Sequence, residues 1–174
     1  FALLFPGITV MFVFFIVGMA GSSLLAERDS GTLRRLLAAP ISRGTVILAK
    51  SLAYALLACV QVIVLFSVAH LAFGMPLGNT PLALVLLTAL LGLVASAFGL
   101  MVAALARTPG QAGSIGTLLG FLMAGLGGCI AVGPTPATRS AGILRVLSRL
   151  TPQGNALEAY YTVMGEAGTL GDIG

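Results

Sequence analysis

Three tracts of the chain, residues 1–26, 51–106 and 108–138, contain no Lys, Arg, Asp or Glu and consist largely of Leu, Ala, Val, Ile, Phe and Gly. One helical membrane span takes about 20 apolar residues, so each tract is long enough to cross a bilayer once or twice. With 58% hydrophobic and 8% charged residues and a mean hydropathy of +1.09, the chain lies far from the soluble balance of roughly half apolar and a quarter charged. These tracts belong in a membrane. The expected fold class is all-α, a polytopic membrane helix bundle.

Prolines divide the tracts, because an interior proline removes a helical hydrogen bond that lipid cannot replace. Those at 40, 76, 81, 109, 134, 136 and 152 fall outside the apolar runs, and Pro6 lies near the start of one. Four spans follow, at about 8–26, 46–73, 82–106 and 113–132. The second and third are joined by GMPLGNTP (74–81), whose Gly, Pro and Asn suit a tight loop. The third and fourth are joined by RTPGQA (107–112). Phe1 falls inside an apolar run and the terminal GEAGTLGDIG closes no element, so the chain reads as a piece of a longer protein. Cys59 and Cys129 both fall in apolar tracts and are expected to be small packing residues rather than a disulfide or metal pair.

Orientation follows from Lys and Arg in short connections. The connection 27–50 carries Arg28, Arg34, Arg35, Arg43 and Lys50, and 107–112 carries Arg107, whereas 74–81 carries none. Both basic connections are therefore assigned to the cytoplasm. Arg139, Arg145 and Arg149 then fall outside, six against three. That outer segment, 138–164, is amphipathic: Ile143, Leu144, Leu147 and Leu150 follow helical spacing with Arg145 and Arg149 on the other face, as in a helix lying in the interface. Asn155 with Glu158 three residues on suggests a second helix start.

The segment Glu27–Lys50 holds seven of the fourteen charged residues of the chain. From Ser30, a good helix cap, GTLRRLLAA runs to Pro40 with Leu33, Leu36 and Leu37 on one face and Arg34 and Arg35 beside them. Physics alone leaves two readings open, a basic interfacial anchor that fixes topology and a docking element.

The order of an apolar span, E-R-x-x-G-T-L-x-x-L-L-x-x-P-I-S-R, a Lys and a second long apolar span resembles the membrane subunits of ATP-binding-cassette exporters of the type-2 permease (ABC-2) family. The matching residues are Glu27, Arg28, Gly31, Thr32, Leu33, Leu36, Leu37, Pro40, Ile41, Ser42, Arg43 and Lys50. The later spans and the LTPQGNALEAYYTVM segment extend the likeness over nearly the whole chain. The resemblance implies a six-span subunit of which this piece is spans two to five, with re-entrant outer helices. It also implies that the cytoplasmic segment 27–45 contains the coupling helix, Gly31 to Ala39, with Glu27 and Arg28 as its polar hinge. The implied partners are an ABC ATP-binding subunit carrying ATP and Mg, a second permease copy in a homo- or heterodimer, and membrane lipids, with no nucleic acid. The implied location is the plasma (inner) membrane.

No span carries an acid or a lysine of the kind that serves proton or sodium coupling at membrane depth, and His70 reads as an interfacial anchor. GTVILAKS (44–51) looks like a P-loop with Ala49 in place of the second glycine, but it enters a span rather than opening a soluble helix after a strand. Lys50 reads instead as a snorkelling anchor. The chain itself is thus expected to hold no cofactor and to be no enzyme. Uncharged polar residues at depth, Tyr54, Gln61, Ser67, Thr88, Ser96 and Thr117, would suit an amphipathic or lipid-like cargo. Gly116 and Gly120 form a G-x-x-x-G pair that serves either packing within the subunit or a dimer or pathway face. The alternatives are a non-transporting assembly subunit and an intramembrane enzyme. The latter would rest on Ser22 and Ser23, which have no histidine on their side of the membrane.

The orientation is checked by cysteine accessibility. A cysteine at Arg35 or Gln111 is expected to react with an impermeant thiol reagent only after the cytoplasmic face is opened, and one at Asn79 to react in intact cells. Labelling of Asn79 only from inside would reverse the topology.

Overall fold

The computed structural model describes residues 4–40, 42–74, 81–130 and 143–165, all in helices and their connections with no strand among them. Helices α1 (Leu4–Phe14) and α2 (Ile16–Asp29) form one long rod interrupted at Phe15, whose amide bonds the Phe12 carbonyl at 3.1 Å and tightens a single turn. The short α3 (Thr32–Ala38) follows, then α4 (Arg43–Phe73), α5 (Pro81–Leu105) and α6 (Pro109–Leu126), and finally α7 (Ile143–Leu150) and α8 (Pro152–Gly165). Three of these rods, Phe5–Asp29, Arg43–Phe73 and Leu82–Leu105, are long and apolar enough to cross a membrane.

Local chemistry sets most boundaries. Ser42 caps α4, its hydroxyl accepting from the Thr45 amide at 3.1 Å, and Gly74 closes the helix in the left-handed conformation at φ 62°. Thr108 caps α6 by accepting from the Gln111 amide at 3.2 Å, with Pro109 in the first turn. Gln111 reaches back, its Oε1 accepting from the Arg107 amide at 2.9 Å, a variant of the reciprocal capping box. Where the sequence suggested a span over 113–132, the helix runs 109–126 and then turns. The Cys129 amide bonds the Ala124 carbonyl at 2.9 Å around Gly128 at φ 77°, a Schellman closure that ends α6 early. Residues 131 and 132 lie outside the described residues, as do 75–80 of the connection 74–81, Arg139 and the terminal 166–174.

Two expected helix starts move. Gly31, not Ser30, precedes α3, and its φ of 75° is a conformation that a side chain would strain. The Ser30 hydroxyl instead donates to the Glu27 carbonyl at 3.2 Å and meets the Thr32 hydroxyl at 2.9 Å. Helix α8 begins at Pro152 rather than near Asn155, because Thr151 Oγ1 accepts from the Gly154 amide at 3.1 Å while Asn155 Nδ2 donates to the Arg149 carbonyl at 2.9 Å.

The bundle centre is built on small residues. α2 packs against both α5 and α6, and α4 lies along α5. Gly116 of α6 backs directly onto Gly18 of α2. A Cβ on Gly99 would lie 2.6 Å from the Ala20 Cβ and 2.9 Å from the Val17 carbonyl oxygen, and one on Gly92 would lie 2.8 Å from the Ala58 Cβ. Around this seam sit Val10, Val13, Phe14, Ile16, Val17 and Val102, all buried. The outward faces of α4 and α5 are apolar too, with Leu52, Leu56, Ile63, Leu71, Leu82 and Leu90 exposed, the pattern of rods whose solvent is lipid.

Gly99→Val is therefore expected to lower the thermal stability of the detergent-solubilised protein by an amount corresponding to about 1–3 kcal/mol, since backbone and not a flexible side chain stands in the way. Gly125→Ala, where a Cβ meets nothing within 4 Å, is expected to be neutral or slightly stabilising. Equal effects of the two would contradict the seam.

Candidate coupling site at the basic connection

The turn from α2 to α4 is held at its base by one ion pair. Glu27, in the last turn of α2, and Lys50, in the second turn of α4, meet with Lys50 Nζ 2.6 Å from Glu27 Oε1. Their side chains are only 33% and 17% exposed, so the pair is partly withdrawn from water and gains more than a solvated one. Sequence reading assigned these residues separately, to a hinge and to an anchor. The pairing had one available signal: each is the charge of its sign nearest the adjoining apolar rod.

Above this pair α3 stands away from the bundle. It has no buried residue: Leu33 is half-buried, while Leu36 and Leu37 are 41% and 36% exposed and Arg34 and Arg35 are exposed. Arg28, Thr32 and Pro40 are exposed as well, and Ile41 lies outside the described residues. Between α3 and α4 is an open hollow of about 440 Å³ walled by Thr32, Leu36, Thr45, Val46, Ala49 and Ala53, with Glu27 and Lys50 at its edge. Leu36 and Leu37 thus form an apolar helix face that the bundle covers only in part.

Residues 44–51 are helical throughout, so the amides of 47–51 bond within α4 and no loop exists there to cradle phosphate. The uncharged polar residues at depth do not assemble into one lumen. The Ser96 hydroxyl is buried and donates to the Leu93 carbonyl at 2.9 Å. Thr88 donates to the Leu84 carbonyl at 2.7 Å and shares a hydrogen bond of 2.6 Å with the Tyr160 hydroxyl. Tyr54 and Gln61 are half-buried on α4, and Thr117 is exposed on α6. Gly116 and Gly120 are both buried inside the subunit, the first against α2 and the second with its carbonyl accepting from Gln153 Nε2 at 3.2 Å. Cys59 and Cys129 are free thiols.

The far end of the bundle carries the α7–α8 pair. Tyr160 stacks on Phe66 at 6.0 Å between centroids, and Gln153, fully buried, binds the penultimate stretch of α6, so α8 is wedged among α1, α5 and α6 at the end opposite the ion pair. Helix α7 buries Ser148 while Val146 and Leu150 stay exposed, which leaves those two side chains available to lipid. Sequence reasoning gave no role to Gln153 or to the Thr88–Tyr160 contact.

The model of the ABC-2 family transporter proteins matches residues 1–174. The chain belongs to the ABC-2 transporter family. It is similar to the linearmycin resistance permease protein LnrN of Bacillus subtilis, 33% identical over 112 residues, which is 64% of this chain and 29% of that protein. The chain thus matches less than a third of the length of that curated relative. No solved structure gives a significant match. Family membership and three rods of spanning length make this ABC-2 chain part of the transmembrane portion of a transporter, in a multi-pass membrane protein.

A double-mutant cycle on Glu27→Gln and Lys50→Gln, read by thermal unfolding in detergent, is expected to give a coupling energy on the order of 1 kcal/mol. Additive single effects would show that the pair contributes nothing to holding α2 and α4 together.

Proposed function

We propose that this chain is the permease part of an ATP-driven exporter and that Gly31–Ala39 is the helix through which an ABC ATP-binding subunit drives it. The observation that carries the reading is α3 itself, whose Leu36 and Leu37 are exposed beside arginines although the rest of the chain has ample apolar surface against which to bury them. Leu33, Leu36 and Leu37 would seat in a groove of the ATPase, with Thr32 and Pro40 bounding the helix and Gly31 permitting its sharp departure from α2. Glu27 and Arg28 form the hinge, and the Lys50 contact would carry displacement of α3 into α4. ATP and Mg reside on the partner subunit, whose hydrolysis supplies the free energy.

Two copies of the permease, identical or related, would form the transport unit in the plasma membrane. The cargo is an amphipathic or lipid-like molecule moved out of the cytoplasm. Support comes from the lack of charged residues in the three apolar tracts and from the relative's description as a resistance permease, a role that export fulfils. Tyr54, Gln61 and Thr117, half-buried or exposed in the single subunit, are the residues available to a pathway formed between copies. Gly116 and Gly120 serve packing.

The test is a Leu33→Ala/Leu36→Ala double variant in the reconstituted complex. Truncating partly exposed leucines removes about 2 kcal/mol or less of apolar burial each, so insertion and dimer formation are expected to survive. Transport is expected to fall, and ATP hydrolysis to stop responding to substrate. Full retention of both activities would leave the charged connection as a topological signal alone.

A further inference from the structure

A second hollow lies on the other side of the basic connection. It has a volume of about 650 Å³ and opens where the end of α2, the start of α3 and the α5–α6 junction meet, lined by Arg28, Asp29, Gly31, Arg34, Leu105 and Arg107. Three arginines from three places in the chain, Arg28, Arg34 and Arg107, line it together with a single acid, Asp29. None of the four charged groups forms an ion pair with any described residue; the Glu27–Lys50 contact is the only such pair among them. A concave surface with a surplus of two positive charges and unengaged donor forks is electrostatically incomplete, and guanidinium groups match the oxygens of a phosphate in geometry as well as charge.

The apolar lining residue Leu105 indicates the source of that phosphate. Leu105, 72% exposed, is the last residue of α5, and Leu90, Leu93, Met101 and Leu105 expose one apolar stripe at helical spacing that leads up to the arginines. A soluble anion would have no use for such a stripe; an acyl chain would lie along it.

We propose that this hollow binds the headgroup of an acidic phospholipid. Its phosphate diester is held by Arg28, Arg34 and Arg107, Asp29 accepts from a headgroup hydroxyl, and an acyl chain runs down the α5 stripe. Basic pockets at the membrane boundary are general sites for anionic headgroups. The inference goes beyond the coupling reading and draws on the same topology only for the leaflet, the one facing the basic connections.

The experiment uses the whole permease, purified and equilibrated with mixed phosphatidylglycerol and phosphatidylcholine, with retained lipid measured by native mass spectrometry. Preferential retention of phosphatidylglycerol is expected for the unmodified protein. It should drop about tenfold or more in Arg34→Gln/Arg107→Gln, since each removes a charge-assisted hydrogen bond, and should be partly restored in Arg34→Lys/Arg107→Lys. Leu105→Asn is expected to weaken retention, and inorganic phosphate at millimolar concentration is expected not to displace the lipid. Equal retention of the two lipids by the unmodified protein would overturn the proposal without reliance on any variant. Displacement by inorganic phosphate would overturn it in favour of a free-anion site. Unchanged lipid retention with lost ATPase association in Arg34→Gln/Arg107→Gln would mark the surface as protein docking. The lipid readout needs no ATPase, so its failure is separable from failure of the coupling reading.

Discussion

Backbone-to-backbone approach of α2 against α5 and α6 is the contact on which the rest of the bundle depends. In lipid, exposed apolar side chains gain little by turning inward, so helices associate through close van der Waals packing rather than through removal of oil from water. Gly18, Gly99 and Gly116 remove the side chains that would hold the rods apart, and Ala20 and Val17 fill the space that this leaves. With that seam closed, α4 is laid along α5 through Gly92 against Ala55 and Ala58, and the outward leucines of both rods are left to the membrane.

The two ends of the bundle are stabilised by opposite means. At one end Glu27 and Lys50 tie α2 to α4 across the base of an otherwise detached helix, so α3 is free of the bundle but its attachment point is not. At the other end the hydrogen bonds are buried: Tyr160 to Thr88 and Gln153 to the Gly120 carbonyl lock α8 into the bundle. Gln153 Oε1 finds no partner among the described residues. A buried amide that satisfies only part of its capacity fixes orientation at some cost in stability. The two ends thus differ in how they are fixed, with the long rod α4 running between them.

Charge-free tracts, prolines and the clustering of Lys and Arg were enough for the sequence by itself to determine a membrane helix bundle, the approximate rods and a short basic helix between two of them, because each follows from local solvation and hydrogen bonding; that this helix stands away from the bundle came only with the structure. The pattern through Glu27, Gly31, Leu36 and Pro40 also carried the family. Only the tertiary structure decided that Glu27 pairs with Lys50, that Gly116 serves packing within the subunit, that Thr88 and Ser96 are consumed by local hydrogen bonds, and that Arg28, Arg34 and Arg107 face one hollow. Those outcomes depend on the rotation of each rod about its axis. In an apolar chain the hydrophobic pattern is nearly the same on every face, so rotation is set by which small residues can approach one another, and that is a property of pairs of helices brought together from distant parts of the sequence.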